Sequence, residues 1–96
     1  MIRQIKVEEI SEKAQAGECQ IIDVREFPEF AAERIHNAKL VPLSDFEKHE
    51  KEIDRAKPVY IMCRSGNRAK QAADRLMQKG FTDIHVIEGG MQAWSS

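Results

Sequence analysis

Apolar residues along this chain fall into two alternating rhythms: short β-branched runs and stripes at helical spacing. Ile2 to Ile5 predicts a short edge strand. Val7, Ile10 and Ala14 recur at helical spacing and Gly17 supplies a C-terminal cap, so a helix is expected from Val7 to Ala16. Cys19 to Val24 is a compact run of the kind that forms a buried strand. Pro28 suits the first turn of a short helix ending near Arg34, and Lys39 to Val41 predicts a brief strand stopped by Pro42. Ser44 and Glu47 have capping-box spacing, which predicts a charged helix ending near Arg55.

Val59 to Met62 predicts the next strand. From Asn67 to Lys79, the residues Ala69, Ala72, Ala73, Leu76 and Met77 fall on one helical face, and Gly80 ends the helix. Asp83 to Ile87 predicts the last strand, Gly89-Gly90 a turn, and Met91 to Trp94 a terminal helical turn. Strands that alternate with helices predict an α/β fold, with a mostly parallel central sheet covered by helices on both faces. No repeat or linker interrupts the pattern, so residues 1–96 are expected to form one domain.

Composition serves mainly to exclude. With a net charge of −1, nothing suggests nucleic-acid or anionic-membrane partners, so any anion site must be local. No apolar stretch approaches membrane-spanning length, and the first ten residues lack the apolar core of a signal peptide, so a cytoplasmic protein is expected. The two cysteines, Cys19 and Cys63, lie far apart, and His36, His49 and His85 have no metal-ligand spacing with them. No metal or cofactor is expected.

The chemistry concentrates after Met62. An apolar run delivers Cys63 to its end, and Arg64-Ser65-Gly66-Asn67-Arg68 leads into an alanine-rich helix. In such a strand–loop–helix turn, backbone N–H groups converge and the positive end of the helix dipole adds to them. A thiol there is surrounded by fixed positive charge, which favours the nucleophilic thiolate. A buried structural cysteine is the commoner fate, but a dry core would not accept the residues that follow. Arg68 opens a helix, where a cation opposes the dipole unless an anion or a carboxylate compensates. Arg64 stands between a site role and a solvated one. Gly66 permits positive φ and close backbone approach, Ser65 and Asn67 offer further donors, and Asn67 could instead cap the helix. Asp23 and Arg25 follow a second buried strand and are expected to brace the loop by ion pairing. His36 is a candidate for the rim. Cys19 has no cationic neighbours in sequence and is expected to be buried.

The chain resembles a single-domain rhodanese, a thiosulfate-type sulfurtransferase, over nearly its full length. Four segments carry the resemblance: Asp23-Val24-Arg25-Glu26 with Glu29-Phe30; Ile35 with Ala38 and Val41-Pro42; Cys63 through Ala69; and Glu88-Gly89-Gly90-Met91 with Ala93-Trp94. Asn37 stands where the family often has a glycine, a replacement that a left-handed turn tolerates. The resemblance implies a rhodanese α/β fold and a persulfide on Cys63. It further implies that the Arg64–Arg68 loop holds a small anionic sulfur donor, with Asp23 and Arg25 in the supporting network.

The expected reaction is a double displacement. Cys63 takes the outer sulfur of thiosulfate or a similar donor and passes it to cyanide, a thiol or a protein dithiol. A persulfide carrier within a relay shares this chemistry. A cysteine-dependent phosphatase or arsenate reductase would use a C-x5-R loop, whereas this chain has C-x4-R, one residue shorter. A non-catalytic binding module on the same fold often lacks the cysteine.

Overall fold

The structure is a computed structural model and describes residues 2–95. Ten elements follow the expected alternation: β1 (Ile2–Ile5), α1 (Val7–Gln15), β2 (Gln20–Asp23), α2 (Phe27–Ala32), β3 (Lys39–Leu40), α3 (Phe46–His49), β4 (Val59–Met62), α4 (Asn67–Gln78), β5 (Ile84–Ile87) and α5 (Gly90–Ser95). The five strands form one sheet in the order β1-β5-β4-β2-β3. All of its pairings are parallel, as a chain that crosses over between strands requires.

Strand periodicity divides the core into two layers. Val59, Ile61 and Cys63 face Ala69, Ala72, Ala73 and Leu76 of α4 and Phe46 of α3. Tyr60 and Met62 face the opposite way, towards Ile10 and Ala14 of α1 and Met91 of α5. Three alanines on α4 let that helix seat closely on the sheet. Met77, expected on the same stripe, is 42% exposed. The alanine face is narrow, and a residue at its margin turns outward once Leu76 has filled the core position.

The charged helix expected from Ser44 to Arg55 is broken into α3, flanked by 3-10 turns at Leu43–Asp45 and Glu50–Glu52. Ser44 does not cap it. Its hydroxyl donates to one Glu26 carboxylate oxygen and its backbone N–H to the other at 3.4 Å, so the N–H that a capping box would give to Glu47 goes to Glu26. Asn37 adopts the left-handed conformation, with φ 70°.

Register places the site. Gln20 pairs with Val59 and Asp23 with Met62, so β2 and β4 end level. The segments after Asp23 and Met62 therefore emerge side by side at the carboxyl edge of the sheet, where open α/β sheets bind ligands.

Candidate active site

Cys63 continues the inward alternation of β4 and is only 1% exposed. The chain then turns sharply through Gly66, whose φ of 110° forms the left-handed entry to α4. A Cβ there would meet nothing within 4 Å, so glycine is required by the torsion and not by crowding. The turn aims two amides at the sulfur: Gly66 N–H donates to Cys63 Sγ at 2.9 Å and Ala69 N–H at 3.4 Å. Gly66 also takes the N-cap position, which leaves Asn67 as the first helical residue. Ser65 on the loop and Asn67 at the start of α4 are exposed.

The outer side of the loop is held by α5. Met91 N–H donates to the Cys63 carbonyl at 2.7 Å and Gln92 N–H to the Arg64 carbonyl at 3.2 Å. With these carbonyls drawn away, the loop amides are left to face the sulfur. Gly90, at φ 53°, packs so tightly that a Cβ would overlap the Cys63 carbonyl oxygen and the Arg64 backbone. The sequence shows Gly89-Gly90 only as a turn. The paired glycines before a terminal helical turn were the available signal, but contact with Cys63 depends on the packing of α5.

The arginines differ in their engagement. Arg68 makes a two-pronged ion pair with Glu29 of α2, at 2.7 and 2.9 Å. That hydrogen bonding pulls the Glu29 carboxyl from an ordinary 4.5 to about 2 and pushes the Arg68 guanidinium up. A carboxylate thus supplies the compensation that a cation at a helix start requires. Glu29 also accepts from the Glu26 N–H at 3.1 Å, tying the start of α2 to the start of α4. Arg25 and Asp23 form a buried pair at 2.8 Å, and Arg25 also donates to the Glu33 carbonyl at 2.6 Å. The hydrogen bond to Asp23 raises the Arg25 pKa. Arg64 is exposed, and its guanidinium has no ion-pair partner among the described residues.

Beside the loop lies an open cleft of about 340 Å³. Glu29, Ala32 and Glu33 line it from α2 and its C-cap, Met91, Gln92 and Ser95 from α5, with Arg25 and Arg64 completing it. His36 does not join this edge. It is exposed beside Asn37, which packs near Gly17 at the amino-terminal end of β2. His49 pairs with Asp45 and Glu52, and His85 pairs with Asp83 while stacking on Tyr60. Among the described residues, no group of three or more potential ligands could hold a metal ion.

In sequence and fold the chain is similar to known proteins. Residues 6–96 match the family model described as a rhodanese-like domain. An uncharacterised Bacillus subtilis protein, YqhL, is 39% identical over 85 residues, covering 86% of this chain and 68% of that protein. The putative sulfur carrier protein YrkF of the same organism is 32% identical over 98% of this chain, which spans about half of it, 51%. Thiosulfate sulfurtransferase GlpE of Coxiella burnetii is 27% identical over the whole chain and 90% of its own. The crystal structure of a rhodanese-related protein from Thermoplasma volcanium superposes with a TM-score of 0.86 at 32% identity, covering 97% of this chain and 90% of that one. The chain belongs to the rhodanese-like domain family, whose relatives here include a sulfurtransferase and a putative sulfur carrier.

Proposed function

We propose that the chain is a sulfurtransferase that moves sulfane sulfur through a persulfide on Cys63. The observation that carries this is the paired amide donation from Gly66 and Ala69 to a sulfur at the carboxyl edge of a parallel sheet. The Cys63 thiolate attacks the outer sulfur of a donor such as thiosulfate. The donor's S–S bond breaks, sulfite leaves with the bonding electrons, and the loop amides, Gly66 and Ala69 among them, stabilise the persulfide. Arg64, whose guanidinium has no ion-pair partner among the described residues, meets the donor's oxyanion. Arg68 acts through Glu29, setting where α4 begins and hence where its amides point. Asp23 and Arg25 hold the neighbouring strand end in place.

In the second half-reaction an acceptor thiolate, cyanide or a protein dithiol takes the sulfur and Cys63 is regenerated. No cofactor enters either step. A reducing cytoplasm suits this chemistry, because both thiols then begin reduced. A relay carrier would use the same persulfide with protein partners at both steps, a role suggested by the likeness to a putative sulfur carrier.

Intact mass before and after thiosulfate tests the proposal. The expected result is one added sulfur atom, mapped to Cys63 and removed by cyanide or a dithiol. Hydrolysis of an aryl phosphate with no sulfur adduct would overturn it in favour of phosphatase chemistry.

A further inference from the structure

The cleft between α2 and α5 contains charges that the fold uses and charges that it leaves over. Arg25 is spent on Asp23 and the Glu33 carbonyl, and Glu29 on Arg68. The Arg64 guanidinium remains, together with the exposed Glu33 carboxylate, which accepts the Ser95 hydroxyl at 3.1 Å and otherwise adds only the smallest of the charge effects on Arg25. Both line the same cavity of about 340 Å³, within the size range of small-molecule sites. One cation and one carboxylate complement a ligand that bears a carboxylate and an ammonium.

We propose that this cleft is the acceptor subsite and that it selects a small thiol of the amino-acid type, with Arg64 taking its carboxylate and Glu33 its ammonium. The inference rests on the sulfurtransferase proposal. The acceptor thiol gives its proton to solvent, and its thiolate attacks the outer sulfur of the Cys63 persulfide. The S–S bond to Cys63 breaks, Cys63 departs as a thiolate, and the acceptor leaves as a persulfide, with no other oxidant or reductant needed. Because the substrates enter in turn, Arg64 serves the donor oxyanion first and the acceptor carboxylate second. Glu33 distinguishes them, since it repels a divalent anion and attracts an ammonium.

The test loads the full chain with thiosulfate, confirms the adduct by mass, and then follows its discharge to four thiols compared at equal thiolate concentration. These are cysteine, 3-mercaptopropionate, cysteamine and 2-mercaptoethanol. Cysteine should lead 3-mercaptopropionate by roughly three- to tenfold in kcat/KM, the range for a partly exposed charge-assisted contact. Glu33→Gln should erase that lead, Glu33→Asp should restore part of it, and thiosulfate loading should be no slower than wild type in either, because the charge that is removed or drawn back repels the donor. Normal loading with equal discharge to all four thiols would overturn the subsite, as would a Glu33→Gln variant that keeps the preference for cysteine. Failure of the wild-type chain to load at all would instead overturn the sulfurtransferase proposal, and this inference with it.

Discussion

Cys63 and Cys19 stand at opposite ends of adjoining strands. Cys19 precedes Gln20, which pairs with Val59, whereas Cys63 follows Met62, which pairs with Asp23. The strands separate the thiols by roughly 15 Å, at about 3.3 Å per residue. Cys63 ends its strand where a helix begins and receives two backbone donors. Cys19 enters its strand half-buried, and burial is the main cause that pushes its thiol pKa up. An apolar strand next to a cysteine therefore says little about reactivity. The direction of the chain matters more, because only the carboxyl end meets helix amides.

Replacing the nucleophile should produce the widest contrast. Cys63→Ser should abolish the sulfur adduct while near-native circular dichroism is retained, because an alcohol cannot form a persulfide. A persistent adduct in that variant would break the comparison at its centre.

Gly90→Ala should come next. The new methyl group would collide with the loop backbone in a left-handed conformation, at a cost on the order of 1–3 kcal/mol, and loading should slow by more than about tenfold. Gly66→Ala suffers only the torsional strain, so its melting temperature should fall less. Equal losses from the two substitutions, in thermal melts and in loading rates, would argue against α5 as the support of the loop.

The two loop arginines should separate kinetically. Arg64→Ala should raise KM for thiosulfate about tenfold with a smaller change in kcat, as expected for lost contact with a charged ligand. Arg68→Ala should act mainly on kcat and on stability, by about 1 kcal/mol for a pair that is roughly a third exposed. That contribution also depends on pH. The folded-state pKa of Glu29 lies below its ordinary 4.5, so the pair stabilises fully above that value and is lost as pH falls towards about 2. Denaturation midpoints at about pH 6 and about pH 3 should therefore fall less in Arg68→Ala than in wild type.

The smallest effect belongs to Cys19→Ser, which should leave thiosulfate turnover within about twofold of wild type, since the sheet separates the thiols. A large loss in a folded variant would indicate a sulfur relay between them.

Much of the fold was legible because it rests on local periodicity. β4 runs over the expected Val59–Met62, and α4 ends one residue before the expected Lys79. The α3 region departs from the expected helix because the Ser44 N–H, which a capping box would give to Glu47, goes to Glu26, 18 residues away. At the site, Cys63 and its loop announced themselves through an abrupt change from apolar to polar residues. Glu29 carried only the hint that a helix-opening arginine needs a carboxylate, with nothing to say which. Gly90 carried the hint of a paired glycine, with nothing to say what it packs against.

The sequence alone determined the strand and helix types, the parallel α/β class and the placement of a cysteine at a strand-to-helix turn. The elements and the turn follow from neighbours within about one helical turn, and the class from the alternation of those elements along the chain. Only the tertiary structure decided that Arg68 is held by Glu29, 39 residues away, while Arg64 has no ion-pair partner among the described residues. It likewise decided that the amides of α5 hold the carbonyls of Cys63 and Arg64. Hydrogen bonds are directional and short, so such partnerships form only where packing brings two groups within about 3 Å of each other, and no local pattern records that approach.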